Sequence, residues 1–292
     1  MRRILSILML ITLISCNRDA SDSGKQIITV SIAPFKYFVT EIAGDDFSVN
    51  VMVPPGANPH IYEPYPGQIT KLRKSVAYIS NGYLGFEMAW LDRFYEINKT
   101  MVRLSAGEGI ELIASGHDHG HEIDHAESAD PHYWVSPICA LMIASSVKDL
   151  LIELKPASGA NYEKNYSELV SKINEVDNKA RLLFSEFRGM HFMIFHPNLA
   201  YLARDYGLEE IAVEFEGKEP PPSRLKELID LAAEENINTI FVQKEYDSRN
   251  AGAIADEIGA VIKVIDPLSE NWLESTLDII EGLHKSLVQG RK

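Results

Sequence analysis

Cysteine and basic residues are both scarce in this 292-residue chain, and each scarcity narrows the class of protein. The two cysteines are Cys16 and Cys139. Cys16 lies at the end of an apolar leader, so Cys139 has no partner for an internal disulfide, and its apolar helical surroundings predict a buried thiol. The chain has 28 basic and 42 acidic residues and a net charge of −14. Nucleic-acid binding needs a basic stripe, so a nucleic-acid partner is not expected.

Hydrophobic runs long enough to span a membrane are also missing. A shorter run near the N-terminus predicts a signal peptide at 1–15. Two arginines precede a largely apolar run of eleven residues at 4–14, which is too short to span a bilayer. It ends in "LISC", which looks like a bacterial lipobox in which Cys16 is acylated and anchors the chain to a lipid bilayer. An ordinary signal peptide followed by a chance cysteine is the alternative. The polar residues 16–26 are predicted to form a tether.

Strand and helix patterns alternate through the rest of the chain. Short apolar or alternating segments such as 47–53 "FSVNVMV" are followed repeatedly by amphipathic segments, which is typical of α/β folds with mostly parallel sheets. The same order recurs in both halves. We therefore predict an N-terminal α/β lobe at 27–156 and a C-terminal α/β lobe at 189–292.

The segment at 157–188 is predicted to join the lobes as one long rigid helix. Its apolar residues recur at alternating steps of four and three, which places them on one helical face. They are Tyr162, Tyr166, Leu169, Ile173, Val176, Ala180, Leu183 and Phe187. A helix of about 30 residues explains this stripe, and two shorter helices with a break are the alternative.

Four polar residues outside any histidine-rich segment occupy similar positions. His196 and Asp266 each follow a predicted strand, His60 follows one by several residues, and His132 precedes the helix that begins at Pro137. Open α/β sheets bind ligands beyond the carboxyl ends of their strands. Three imidazoles and one carboxylate would make a tetrahedral set for a borderline cation. Capping or packing remains the alternative for each residue taken alone.

Several longer motifs contain these residues or lie between them, and together they resemble the motifs of a known family. They are "PGANPHIYEPYPGQITKL", "NGYLGFEMAWL", "DPHYWVSP", "FHPNLAYLARDYGL", "EPPPSRLKELI" and "IDPL". With the lipobox, they resemble the solute-binding lipoproteins of zinc- and manganese-uptake ABC transporters over nearly the whole chain. The resemblance implies two lobes, a long joining helix and a metal site in the cleft between the lobes. It also implies that His60, His132, His196 and Asp266 are the metal ligands.

The resemblance further implies a monomeric extracytoplasmic protein that captures Zn²⁺ and delivers it to an ABC transporter permease. The chain departs from the family in two places: the third ligand motif reads His196-Pro197-Asn198 instead of His-Asp-Ala, and Gln68 replaces a usual Asp. Histidine at the third ligand position favours zinc, since imidazole suits it better than it suits manganese. A manganese-binding protein and an adhesin for host matrix proteins are the alternatives. A closed four-ligand site leaves no position for substrate, so no enzymatic activity is expected.

The loop at 115–130 contains the pattern His121-Glu122-Ile123-Asp124-His125, which fits the H-E-x-x-H pattern of zinc proteases. Such a motif works on a helix, where both histidines share one face. The two glycines of this loop and its lack of an apolar stripe disfavour a helix, and therefore a protease. We predict an auxiliary metal-binding loop, with a solvated linker as the alternative. Its ligands would be His117, His119, His121 and His125.

Overall fold

The computed structural model describes residues 24–114, 129–214, 220–246 and 248–291, which form two α/β lobes. This confirms the predicted fold class. The signal peptide, Cys16 and most of the histidine-rich loop lie outside the described residues. Within the described ranges, no helix combines the length and hydropathy needed to cross a membrane.

The first lobe contains a four-stranded parallel sheet whose strands follow the order β2-β1-β3-β4. Its elements are β1 (Gln26–Val30), α1 (Ala33–Ala43), β2 (Phe47–Val51), α2 (Pro66–Leu72), β3 (Ser75–Ser80), α3 (Gly85–Ile97), β4 (Val102–Ser105) and α4 (Pro137–Leu154). A 3-10 turn at Tyr133–Val135 leads into α4. The Ser136 side chain caps this helix by accepting from the N–H groups of Ile138 and Cys139, and Pro137 occupies its first turn, where no backbone donor is needed. Cys139 is buried and free, as expected.

The second lobe repeats the same arrangement, with strand order β6-β5-β7-β8. Its elements are β5 (His191–Ile194), α6 (Ala200–Tyr206), β6 (Glu209–Ala212), α7 (Pro222–Glu234), β7 (Thr239–Gln243), α8 (Ser248–Ile258), β8 (Val261–Ile265) and α9 (Trp272–Gly290). Every strand pair in the two sheets is parallel. The carboxyl ends of the strands within each lobe therefore lie at one edge of its sheet.

The helix α5 (Gly159–Phe184) connects the lobes and packs against α1, α4 and α9. Its 26 residues span about 39 Å. One buried stripe of apolar side chains runs along the helix. The stripe comprises Tyr162, Leu169, Ile173, Val176, Ala180 and Phe184. These residues belong to an apolar core that continues from the first lobe into the second, so the lobes share one hydrophobic interior along α5.

Two tryptophans tie the lobes together close to the cleft. Trp134 Nε1 donates to the Pro267 carbonyl oxygen at 2.9 Å, and Trp272 Nε1 donates to the Trp134 carbonyl oxygen at 2.7 Å. Both indoles are almost fully buried. At the surface, Lys36 of α1 forms an ion pair with Glu270 of the second lobe at 2.7 Å. Buried, hydrogen-bonded rings of this kind hold the two lobes in a defined relation.

Candidate metal centre

His60 lies in the loop between β2 and α2, where two neighbours fix its backbone. Asn58 Oδ1 accepts a hydrogen bond from the His60 backbone N–H at 2.8 Å. The first residue of α3, Gly85, packs against the His60 backbone, and a Cβ atom at that position would lie 2.3 Å from the His60 carbonyl oxygen. Only glycine allows α3 to approach the loop this closely.

Gln68, one of the two departures from the family pattern, ties the same loop to the sheet. Its Oε1 atom accepts from the Tyr62 hydroxyl and the Tyr65 backbone N–H, each at 2.8 Å. Its Nε2 atom donates to the Val51 carbonyl oxygen at the end of β2, at 3.2 Å. An aspartate has no donor for this last bond. The glutamine therefore supports the backbone that leads to His60.

His132 is positioned by a carboxylate two residues before it. Ala129 and Ala114 form an antiparallel bridge, and the chain then enters the first lobe through Asp130. Asp130 Oδ1 accepts from the His132 backbone N–H at 2.8 Å and from His132 Nδ1 at 2.7 Å. This contact fixes Nδ1 as the protonated nitrogen and leaves the Nε2 lone pair free to bind a metal.

His196 lies two residues beyond β5 and comes from the second lobe. The register of β5 and β6 pairs Ile194 with Ala212, so His196 lies opposite Glu214. His196 Nδ1 donates to Glu214 Oε2 at 2.5 Å. The Tyr246 ring stacks on the imidazole with centroids 4.7 Å apart and an interplanar angle of 18°. The ring of His196 is therefore held at its edge and on its face.

The three imidazoles meet in the cleft through their Nε2 atoms. His60 Nε2 lies 3.2 Å from His132 Nε2 and 3.2 Å from His196 Nε2. All three donor atoms lie within 4.8 Å of one another. A tetrahedral zinc ion with Zn–N bonds of about 2.0–2.1 Å separates two nitrogen ligands by about 3.3–3.4 Å. The donor type and the spacing both fit zinc.

The surroundings of His60 and His196 keep these two imidazoles neutral. Burial, followed by the nearby His132 and His196, lowers the pKa of His60 to about 2. Burial also lowers the pKa of His196, although Glu214 opposes that shift. Neutral imidazole is the form that binds metal ions. At neutral pH these two rings therefore present unprotonated nitrogens to the cleft.

Asp130 and Glu214 are the functional residues that the sequence reasoning missed. Carboxylates that accept from the second nitrogen of a metal-binding histidine orient the ring and raise its basicity. Asp130 could have been found from its place in the "DPHYW" motif, two residues before His132. The pairing of Glu214 with His196 depends on the register between β5 and β6, which hydrophobic patterning does not reveal.

Asp266 follows β8 directly, but the structure does not bring it into the group of three histidines. Asp266 Oδ2 lies 3.1 Å from Lys244 Nζ, and both residues line a neighbouring cavity of about 260 Å³. A different acidic residue, Glu245, lines the histidine cavity. Burial, and then the charge of Asp266, raises the pKa of Glu245 to about 7. The role of Asp266 as a ligand stays a prediction.

The cavity at the histidines is small and has two buried amide side chains in its wall. Its volume is about 10 Å³, enough for about one water-sized particle. A sugar, an amino acid or a peptide does not fit this space. Asn198 and Gln243 line it together with the histidines. The cavity therefore suits a single ion.

The remaining predicted site residues lie outside the described residues. These are Cys16 and the loop histidines His117, His119, His121 and His125. The described ends of that loop lie side by side, because Ala114 pairs with Ala129 and the Asp130 N–H donates to the Ile113 carbonyl oxygen at 2.8 Å. The loop thus leaves and re-enters the first lobe next to the carboxylate that holds His132.

A family model described as "Zinc-uptake complex component A periplasmic" matches residues 28–289. The chain belongs to this family. The match confirms the resemblance drawn from the motifs, and it covers both lobes and the joining helix. The family is one of solute-binding proteins.

Two relatives and one solved structure give the extent of the similarity. The zinc-binding lipoprotein AdcA of Streptococcus pneumoniae (strain ATCC BAA-255 / R6) is 27% identical over 284 residues, which are 94% of this chain and 56% of that protein. The chain thus spans about half the length of this relative. The high-affinity zinc uptake system protein ZnuA of Bacillus subtilis (strain 168) is 26% identical, over 94% of this chain and 89% of the relative. A crystal structure of ZnuA is 33% identical and superposes with a TM-score of 0.82, over 90% of this chain and 99% of that one.

Proposed function

We propose that this protein captures Zn²⁺ outside the cytoplasmic membrane and delivers it to the permease of an ABC uptake transporter. The observation that carries the proposal is the convergence of three imidazole Nε2 atoms in the cleft, with 3.2 Å between His60 and each of the other two. Two relatives bear names that state zinc binding or zinc uptake.

Each element of the site has a part in capture. Asp130 and Glu214 hold the Nδ1–H groups of His132 and His196, so both rings present Nε2 to the ion without rearrangement. Two ligands come from the first lobe and one from the second, so the ion bridges the lobes. Asp266, implied by the family pattern, is the proposed fourth protein ligand. It would have to leave Lys244 to reach the ion.

Zinc is proposed over manganese because all three converging donors are nitrogens, which suit zinc better than the hard Mn²⁺ ion. We also propose that Cys16 is acylated and anchors the protein to the membrane, because it ends the apolar run in the lipobox-like sequence "LISC". Several acyl chains anchor a protein stably, whereas a single chain binds only weakly. No catalytic role is proposed, since the cavity has no room for an organic substrate beside the ion.

Zinc titration of the purified mature protein tests the metal site. Competition with a chelator of known affinity should give one tight site, and His60→Ala, His132→Ala and His196→Ala should each weaken it by at least tenfold. His191→Ala is the matched control, because this histidine lies at the opposite end of β5 and pairs with Glu235. Tighter binding of Mn²⁺ than of Zn²⁺ would contradict zinc as the captured ion and favour manganese. Wild-type affinity in any ligand variant would remove that residue from the site.

Two further measurements address the anchor and the carboxylate. A Cys16→Ala protein should leave the membrane pellet on fractionation, and its retention there would point to another anchor. Asp266→Ala should weaken zinc binding to a similar extent as the histidine variants. If it does not, the ion takes its fourth ligand elsewhere.

A further inference from the structure

Basic side chains gather on the first lobe at the edge where its strands begin. Three of them lie at the end of α2 and in the turn to β3, and the fourth lies in the turn from α3 to β4. Asn98 joins the two turns, because its Nδ2 atom donates to the carbonyl oxygens of Arg73 at 3.3 Å and Ser75 at 2.8 Å. The two turns therefore form one surface, which we call the basic edge. It comprises Lys71, Arg73, Lys74 and Lys99.

The positive charge of the basic edge is not neutralised within the described parts of the chain. All four side chains are exposed, and none of them forms an ion pair there. The two carboxylates that precede β2 at the same edge are already paired, Asp45 with Lys25 at 3.5 Å and Asp46 with Lys155 at 2.7 Å. Glu96, in the last turn of α3, adds one exposed acid. A local excess of basic charge on a chain with a net charge of −14 indicates an anionic partner.

The chain also enters the fold at the basic edge. The parallel pairing of β1 with β3 sets Ile27 opposite Ser75. Paired strands lie about 4.8 Å apart, so Lys74 lies beside the first residue of β1. Gly24 is the first described residue, and the eight residues from Cys16 to it reach at most about 26–29 Å. An anchor at Cys16 therefore keeps the basic edge close to the bilayer surface.

We propose that the basic edge docks on anionic phospholipid headgroups of the membrane that holds the anchor. This inference rests on the proposed acylation of Cys16. A lipid chain and a basic patch are two signals that together hold a protein on an anionic bilayer. Lysine and arginine side chains donate hydrogen bonds to phosphate oxygens and attract their charge. Phospholipid is the partner because the tether places this surface, and no other described one, next to the anchor.

Docking in this way orients the metal site. The basic edge lies at the amino ends of the strands, whereas His60 follows the carboxyl end of β2. The six residues of β3 separate the two ends by about 20 Å. The cleft of a docked molecule therefore faces away from the lipid and stays open to zinc. To bring its cleft to a permease in the same membrane, the molecule must first lift the basic edge from the headgroups.

Acetylation of lysines, read by mass spectrometry, tests the docked surface directly. The mature chain is coupled through the Cys16 thiol to a maleimide phospholipid in vesicles, and the buried Cys139 does not compete. On vesicles with equal parts of phosphatidylglycerol and phosphatidylcholine, the three lysines of the basic edge should react about fivefold more slowly than on pure phosphatidylcholine. Lys226 and Lys285, exposed on the second lobe, are the internal controls and should react equally on both.

Two double variants separate the basic edge from the general charge of the protein. Lys71→Gln combined with Lys74→Gln should remove most of the protection of Lys99. Lys226→Gln combined with Lys285→Gln removes the same charge elsewhere and should leave that protection unchanged. Salt at about 1 M, where the Debye length is about 3 Å, should restore the reactivity of the wild-type lysines.

The outcomes separate this inference from the proposed function. Equal reactivity of the basic edge on the two kinds of vesicle would overturn docking, and equal slowing of the control lysines would mean adsorption without orientation. Protection by duplex DNA in solution but not by vesicles would assign the surface to another polyanion. Loss of zinc binding on anionic vesicles would place the cleft against the bilayer and refute the orientation. Because the coupling is chemical, failure of acylation in cells is detected separately, by the fractionation of Cys16→Ala.

Discussion

Removal of the Asp130 carboxylate tests whether a residue outside the ligand set controls zinc affinity. The carboxylate is buried and receives two hydrogen bonds from His132, one from the backbone at 2.8 Å and one from Nδ1 at 2.7 Å. An Asp130→Asn side chain can still accept both bonds but has lost its charge. An Asp130→Ala side chain can accept neither. The two variants therefore separate the charge of the carboxylate from its role in orienting the ring.

The expected losses follow from these contacts. A hydrogen bond to a charged group contributes about 1.5–3 kcal/mol and one between neutral groups about 0.5–1.5 kcal/mol. The difference of about 1–1.5 kcal/mol corresponds to a loss of zinc affinity of about five- to twelvefold in Asp130→Asn. Asp130→Ala also frees the imidazole to rotate, so its loss should lie between about tenfold and 100-fold.

The measurement is a competition titration with a zinc chelator, in parallel with thermal unfolding of the metal-free protein. The control is Asp149→Asn, which removes an exposed carboxylate on α4 that pairs with Lys148. Equal zinc affinity of wild type and Asp130→Ala would refute the argument that this contact prepares His132. A loss of affinity matched by gross unfolding would instead place Asp130 among the structural residues. Glu214→Gln should behave like Asp130→Asn, because it breaks the same kind of contact to His196.

Three other predictions concern the carboxylates and the loop. Burial raises the pKa of Glu87 to about 7, so the folded state favours its protonated form and loses stability as pH rises from about 4.5 to 7. In Glu87→Gln, the decline in unfolding free energy from pH 5 to pH 8 should shrink by about 2–3 kcal/mol in urea titrations. Hydrogen bonds from Lys155 and then Tyr162 lower the pKa of Asp46 to about 2. This stabilisation is present above about pH 4 and fades towards pH 2, so Asp46→Asn should cost about 1 kcal/mol at pH 7 and almost nothing at pH 2. Deletion of residues 116–125 should abolish a weak zinc-binding event in calorimetry and leave the tight site intact, since ordering a chain segment around an ion costs about 1–2 kcal/mol of conformational entropy per residue.

Each of these predictions has an outcome that contradicts it. If the unfolding free energy of Glu87→Gln falls between pH 5 and pH 8 as steeply as that of wild type, this buried carboxyl titrates equally in the folded and unfolded chains. An Asp46→Asn protein as unstable at pH 2 as at pH 7, relative to wild type, would assign the loss to packing. Loss of the tight site on deletion of 116–125 would place a ligand in the loop. Glu122→Ala should change nothing, and loss of a zinc-dependent peptidase activity in this variant would revive the protease hypothesis.

The periodicity of the sequence predicted the elements of the fold better than their ends. The apolar stripe of the joining helix continues to Phe187, but α5 ends at Phe184. Phe187 lies in a turn, with its N–H donating to the Phe184 carbonyl oxygen, and still buries its ring there. An apolar stripe records burial, and burial continues where the helical hydrogen bonds have stopped. The ends of strands are likewise set by pairing: β6 covers Glu209–Ala212, the four residues that pair with β5.

The sequence located the three histidines because each lies in a loop at a strand or helix end where α/β folds bind ligands. It did not reveal which polar groups surround them. The contact between Glu214 and His196 depends on the register of two parallel strands. The pairing of Asp266 with Lys244 depends on side-chain conformation at the end of β8. Such contacts between residues distant in sequence are set by tertiary packing, which a single sequence does not encode in its periodicity.

The intrinsic fluorescence of Trp134 can report whether a metal ion occupies the site. Its ring lies 5.3 Å from the His132 ring, while its N–H and carbonyl oxygen bind Pro267 and Trp272 of the other lobe. Binding of an ion to His132 changes the charge next to an indole that is sealed from solvent and fixed in orientation. Emission of the native protein should therefore shift with metal occupancy without any added dye. Replacement of Trp90, which lies under Arg93 on α3, removes a background emitter and leaves the reporter in place.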